Sequence, residues 1–352
     1  MMILNPNKPV SFRRNQLKLK MNLGALLVLG FFVAPSAQAG ATFDKVKKSG
    51  ALNCGIAGSL SGFSTTNSKG EYEGLDVDLC KAIAAAMKVK PNYKELTAKV
   101  RFTSLQTGEV DILVRNTTFT LSRDTKLGFD NTGINFYDGQ GFMVPKKLNL
   151  KSVKDLSGAS ICVQSGTTTE QNLADYFKSK GLKYKAVVFE KIEDTNKAYI
   201  SERCDAYTTD GSGLASVRSG LKNPKEHVIL PEFISREPLG PMVRQDDPQM
   251  AAIARWVLNA LILAEEKGIT QANVGAKKSD PDPEVKRLLG SSGTLGAELG
   301  LSEDWAFLAI QSVGNYGEIF ERNVGTNTSM GLTRGLNALW NQGGLMYAPP
   351  FN

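Results

Sequence analysis

The sequence predicts an α/β protein built from two similar units and followed by a helical tail, and three observations carry that prediction. Short apolar strands alternate with amphipathic helices through the middle of the chain, the pattern of α/β folds. The succession of strand, glycine turn and helix begins afresh near residue 151. From 269 to 352 the apolar residues recur at helical spacing only.

In the first unit, Ala51–Ile56 reads as a buried strand and Gly70 to Gly74 as a turn. Asp76 then opens a helix with Leu79, Ile83, Ala86 and Met87 on one face. Val110–Val114 is a short strand after a turn at Gly108, and Gly141–Val144 is a strand ended by Pro145. In the second unit, Ser160–Val163 is a strand, and a helix from Thr169 to Lys180 buries Leu173, Tyr176 and Phe177 ahead of a cap at Gly181. Asp205–Thr208 is a further strand, Arg236–Val243 an extended stretch, and Pro248–Gly268 an amphipathic helix. In the tail, Ser302 is placed to cap a helix bearing Trp305, Leu308 and Ala309, and a second helix is expected around Leu336, Leu339 and Trp340.

Ahead of these units lies a different kind of segment. Lys8, Arg13, Arg14, Lys18 and Lys20 precede an apolar run from Leu23 to Val33, and small residues around Ala37 and Ala39 come after it. A basic stretch, an apolar core and a small-x-small site mark a secretory signal, expected here as residues 1–39 with cleavage near Ala39. The run is far shorter than the roughly 20 apolar residues that cross a bilayer. No cysteine stands at the cleavage point, so a lipid anchor is not expected. The expected destination is the periplasm.

Cleavage changes the charge argument. The full chain has 42 basic and 35 acidic residues; losing the five basic residues of the signal leaves 37 against 35, net +2. That removes the case for a nucleic-acid surface. His227 is the only histidine, and no Cys/His spacing suits a metal, so neither metal nor cofactor is expected. Four cysteines in an exported chain favour disulfides. Of the three possible connectivities, Cys54–Cys80 with Cys162–Cys204 staples each unit internally.

Four stretches then line up with a known family: GFSTTNSKGEYEGLDVDLCKAIAAAM from Gly62, LQTGEVDILVRNTTFTLSRD from Leu105, ICVQSGTTTEQNLADYF from Ile161 and CDAYTTDGSGLASV from Cys204. The chain resembles the polar amino-acid-binding periplasmic proteins of ABC transporters (solute-binding protein family 3), most of all the general L-amino-acid-binding members, across residues 41 to 268. The resemblance implies a two-lobe, type II periplasmic-binding-protein fold with two hinge strands. It places the first lobe at 40–140, the second at 141–240, a return at 241–268 and a helical extension at 269–352 packed on the first lobe. Hinge strands are expected near 140–145 and 236–243. The implied partners are an L-amino acid and a membrane permease, and the protein is expected to be monomeric.

A free amino acid presents a carboxylate and an ammonium on one carbon, so its site needs both a cation and an anion. Arg123 suits the carboxylate, because a guanidinium grips it bidentately. The resemblance assigns the Thr118 hydroxyl to the carboxylate or the ammonium, and the backbone of Asn116 to the ammonium. It also assigns Thr168, with Thr167 beside it, to the carboxylate and Asp210 to the ammonium. Phe63 stands where the family often has a pocket aromatic, and Arg101 where acidic-amino-acid binders have an arginine. Leu60, Ala98 and Gln164 replace residues that single-substrate relatives use, which points to broad recognition. The same fold hosts cyclohexadienyl or arogenate dehydratases; an enzyme of that kind needs an acid or base aimed at the reacting carbon, and His227 is remote from every one of these motifs.

Overall fold

The computed structural model describes residues 40–352; the expected signal segment, residues 1–39, and the cleavage point expected near Ala39 lie outside the described residues. The chain opens with α1 (Ala41–Ser49) and β1 (Ala51–Ile56), and the hairpin β2–β3 (Thr65–Thr66, Tyr72–Glu73) leads into α2 (Leu75–Ala86). It continues through β4 (Lys90–Glu95), α3 (Arg101–Gln106), β5 (Ile112–Leu113) and β6 (Phe129–Asn131), then crosses to a second lobe along β7 (Phe136–Asp138). That lobe contains β8 (Gln140–Pro145), β9 (Ser160–Gln164), α4 (Thr168–Ser179) and β10 (Lys185–Phe189), then α5 (Ile192–Ile200), β11 (Ala206–Asp210), α6 (Gly211–Ser219) and β12 (His227–Ile229). β13 (Glu237–Leu239) crosses back, and β14 (Met242–Arg244) and α7 (Pro248–Glu266) rejoin the first lobe. The extension contains α8 (Val274–Lys277), α9 (Pro283–Leu288), α10 (Leu295–Glu298), α11 (Trp305–Val313) and α12 (Tyr316–Asn323).

Both lobes use one design. The first sheet has the order β4-β1-β5-β14-β6 and the second β10-β9-β11-β8-β12. In each, three strands run parallel and are joined by helical crossovers, as parallel neighbours require. The strand beside them is antiparallel in both sheets: β14 has just returned from the other lobe, and β8 has just entered this one.

The crossings themselves pair as a two-stranded antiparallel ribbon, with Phe136 opposite Leu239 and Asp138 opposite Glu237. The first crossing thus precedes the expected 140–145. Gln140–Pro145 is instead a strand of the second sheet, with Phe142, Met143 and Val144 buried on both faces.

The extension departs further from its expected form. α2 is buried nearly all round, including Leu75, Val77, Leu79 and Ala84, because α11 covers the side that faces away from the sheet. Asp304, not Ser302, precedes α11, and its side chain makes no cap bond. Leu336, Leu339 and Trp340 lie in or beside two single 3-10 turns, Gly335–Asn337 and Trp340–Gln342. Glycines at 331, 335, 343 and 344 are too dense there for a helix interior.

This last segment reaches the ribbon. The Asn337 side chain accepts from Tyr137 N at 2.7 Å and donates to Tyr137 O at 3.1 Å, and Tyr316 Oη donates to Asn135 O at 2.9 Å. Phe320 of α12 stacks on Phe136 with ring centroids 6.0 Å apart.

Cys54 bonds Cys80 and Cys162 bonds Cys204, one bridge within each lobe. The second bridge spans 42 residues of sequence, and chain entropy alone assigns such a loop about 4 kcal/mol. Replacing both of its cysteines by alanine should lower stability in urea unfolding by about 2–5 kcal/mol. An unchanged midpoint would show that the bridge constrains nothing the packing does not already hold.

Candidate ligand-binding cleft

β5 ends at Leu113, and the chain then runs along the edge of the first lobe that faces the second. Asn116 takes φ +25°, and its N–H donates to Asp76 Oδ2 at 3.0 Å. Thr118 bridges to Leu239 beside the returning ribbon. A single π turn, Ser122–Lys126, comes next and directs Arg123 back toward this edge. The Arg123 guanidinium donates to Thr118 O at 2.6 Å and lies 4.9 Å from the Phe102 ring centroid. The Arg101 guanidinium lies 4.7 Å from the same centroid. One phenyl ring thus supports two cations.

The second lobe contributes two strand ends. After β9, Gly166 has φ +73°, and a Cβ there would approach Lys99 Cα of the first lobe to 2.9 Å. Only glycine lets the lobes come this close. The Thr167 hydroxyl caps α4, accepting from Glu170 N at 3.1 Å and donating to Gln164 O at 2.7 Å. Its hydroxyl is engaged at the helix end. Thr168 points across the gap, its Oγ1 3.3 Å from Thr118 Oγ1. At the end of β11, Asp210 precedes α6 and is 6 % exposed.

The lobes are in contact. Lys99 Nζ and Thr97 Oγ1 each reach a Glu190 carboxylate oxygen at 3.4 Å. One mouth of the cleft, about 270 Å³, runs between Thr97 and Arg115 on one side and Gln164 and Glu193 on the other. The opposite mouth, about 550 Å³, is bounded by Thr118, Thr168, Asn172 and Glu237.

Buried charge dominates the electrostatics. Arg101 is 3 % exposed; burial, reinforced by the neighbouring Arg123 and Arg115, holds its pKa well below the usual guanidinium range. Its Nε has no hydrogen-bond partner. Burial brings Arg123 and Arg115 down to about 10. On the facing side, burial pushes the Asp210 carboxyl well up, and the nearby Asp138 and Glu237 charges add to the rise. Burial pushes Asp138 up to about 6, against hydrogen bonds that include Gly139 N at 2.8 Å and Ser212 N at 3.1 Å. The cations line the first-lobe wall; of the carboxyls, Asp210 stands on the second lobe and Asp138 and Glu237 on the ribbon between the lobes.

Arg123, Arg101, Asn116, Thr118, Thr168 and Asp210 therefore converge on one cleft. Phe63 does not: it is wholly buried in the first lobe and packs edge-on against Phe136 at 5.3 Å. Leu60 and Ala98 are buried as well. Sequence reasoning passes over Arg115, whose Nε donates to Leu96 O at 2.9 Å, although it adjoins Asn116 in the chain. It also passes over Asp138 and Glu237. The signal for these two is an acidic residue in each crossing strand, at positions that pair. Among the described residues no group of His, Cys, Asp and Glu is arranged to hold a metal ion, and no helix is long and apolar enough to cross a membrane.

Comparison with known proteins agrees with this geometry. Residues 52–270 match the profile of the bacterial extracellular solute-binding proteins, family 3. The chain is 56% identical over 323 residues to the general L-amino acid-binding periplasmic protein AapJ of Rhizobium johnstonii, covering 90% of this chain and 95% of that one. It is 52% identical over 331 residues to the glutamate/glutamine/aspartate/asparagine-binding protein BztA of Rhodobacter capsulatus, covering 92% and 97%. Among solved structures, an ABC transporter periplasmic binding protein from Brucella ovis with glutathione bound superposes with a TM-score of 0.86 at 55% identity, covering 88% of this chain and 99% of that one. With two lobes of matching topology, a paired ribbon between them and a charged cleft beside it, this chain belongs to the bacterial extracellular solute-binding proteins, family 3.

Proposed function

We propose that the protein captures L-amino acids of varied side chain between its lobes in the periplasm and delivers them to the permease of an ABC importer. The observation that carries this reading is the placement of buried Arg123 and Arg101 on one lobe and buried Asp210 on the other, in one cleft. Buried charges are costly unless paired, and an amino-acid zwitterion supplies both counter-charges at the spacing of a single carbon. It stabilises the closed arrangement because only there do both lobes touch it. The ribbon β7–β13 is the hinge about which the lobes part.

Breadth is supported from two sides. The relatives bear names of general and of four-substrate amino-acid binders, and Leu60 and Ala98, where narrower relatives place aromatics, are buried and offer no stacking surface. Glutathione extends the same reading. Its γ-glutamyl end keeps a free α-ammonium and α-carboxylate, so a cleft that grips this pair and tolerates the attached cysteinyl-glycine would accept it. The dehydratase reading finds no support in the relatives, which are named as binding proteins. His227, bonded to Tyr199 at 2.7 Å within the second lobe, is not aimed at the cleft.

Two outcomes test the proposal. In thermal unfolding of refolded protein, many L-amino acids, and glutathione, at 100 times their dissociation constants should stabilise it by about 2.7 kcal/mol. Arg123→Ala should weaken them by about 30-fold or more. Stabilisation by no amino acid would overturn the reading, and stabilisation by one or two would remove only its breadth.

The second outcome concerns pH. The Asp210 carboxyl is raised in the free cleft, and a bound ammonium lowers it again by favouring the charged form. Between those two values, binding releases a proton, so affinity falls as pH falls through the raised value. Calorimetry in buffers of different ionisation enthalpy should detect that proton. Asp210→Asn should abolish its release and weaken binding at neutral pH by about 10- to 100-fold, the worth of a charged hydrogen bond.

A further inference from the structure

Glu237 lies on β13 and is 1 % exposed, and its carboxylate is fully engaged. Oε2 accepts from Thr118 Oγ1 of the first lobe at 2.6 Å and from Thr168 Oγ1 of the second at 2.9 Å. Oε1 accepts from Asn172 Nδ2 at 2.7 Å and from Ser235 Oγ at 2.6 Å. An ionised carboxylate only accepts, whereas a threonine hydroxyl has one proton to give and two lone pairs. Both threonine protons are therefore committed to Glu237. The 3.3 Å approach of the two hydroxyl oxygens is then that of two donors sharing one anion, with no proton left for a bond between them.

The ligand meets these hydroxyls in only one sense. Thr118 and Thr168 can turn only lone pairs toward the cleft, and lone pairs receive an ammonium and repel a carboxylate. We propose that Glu237 is a positioning residue that sets the polarity of the cleft, holding Thr118 and Thr168 as acceptors for the ligand's α-ammonium. The carboxylate falls to Arg123 and the free N–H groups at the start of α4. Thr168 thereby takes the opposite role, through its hydroxyl, from the carboxylate donor expected from the family resemblance. Glu237 also touches both lobes from the hinge strand, so the polarity is set only when the cleft is closed.

This assignment rests on the amino-acid reading of the cleft, and its test separates the two. Each protein is titrated calorimetrically with L-glutamate and with glutarate, which differ only in the ammonium, and likewise with L-alanine and propionate; weak ligands are measured by displacement. Glu237→Gln keeps the shape but offers an amide donor, which turns a threonine proton back toward the cleft. Its preference for the amino acid over the des-amino acid should fall by about tenfold or more, through loss of amino-acid affinity, with the des-amino acid held within about threefold. Thr118→Val removes one acceptor without touching Glu237 and should reduce the same preference. Equal losses for both members of a pair would reduce Glu237 to a structural role and overturn the assignment, as would an unchanged preference in either folded variant. Wild-type protein that binds neither amino acid would overturn the amino-acid reading, and this assignment with it.

Discussion

The structure depends on holding like charges together in a place where water cannot shield them. Arg101, Arg115 and Arg123 share one wall of the cleft; burial lowers the pKa of all three, and at Arg101 both neighbours lower it further. Asp138 and Glu237, on the ribbon between the lobes, stand near Asp210 and add to the rise that burial imposes on its carboxyl. Neither group would collect unaided, since each suffers desolvation and repulsion together. What holds them is rigid scaffold: a phenyl ring under two guanidiniums, strand ends that cannot shift register without unpairing a sheet, and a ribbon that brings Asp138 opposite Glu237. Attraction across the closed cleft offsets part of that cost, since Asp210 and Glu237 favour the charged forms of Arg101 and Arg123.

Much of this is legible in the sequence wherever the information is local. The strands Ala51–Ile56 and Ser160–Gln164 declare themselves by apolar runs bounded by glycine turns. The cysteine pairs accord with the compactness of each α/β unit. Arg123, Thr118, Thr168 and Asp210 can be found because each lies in a stretch with family character. The role of the Thr167 hydroxyl is local as well: the residue before a helix gives its side chain to the cap.

What stays hidden depends on distance along the chain. Glu237 meets Thr118 across 119 residues of sequence, and its one signal, an acidic partner in the other crossing strand, emerges only once the two strands are paired. Phe63 reads as a pocket aromatic because sequence cannot tell which side of a strand end closes over a ring, and the side that closes is the first-lobe core. α2 reads as one-faced because its second apolar face is answered only by α11, more than two hundred residues later. An apolar face has no visible partner until the fold supplies one.

The hydrogen bonds between Asn337 and Tyr137 reach beyond packing. They seize a hinge strand by its backbone, on the first-lobe side, while Tyr316 holds the carbonyl two residues before it. A hinge anchored at one end behaves like a door on a frame: the anchored side and its helical extension form the frame, and the smaller lobe is the leaf. In the proposed opening, rotation would therefore fall to the backbone beyond this anchor, on the second-lobe side of the ribbon. The extension, which contributes no residue to the cleft, thereby shortens the lever about which the cleft opens.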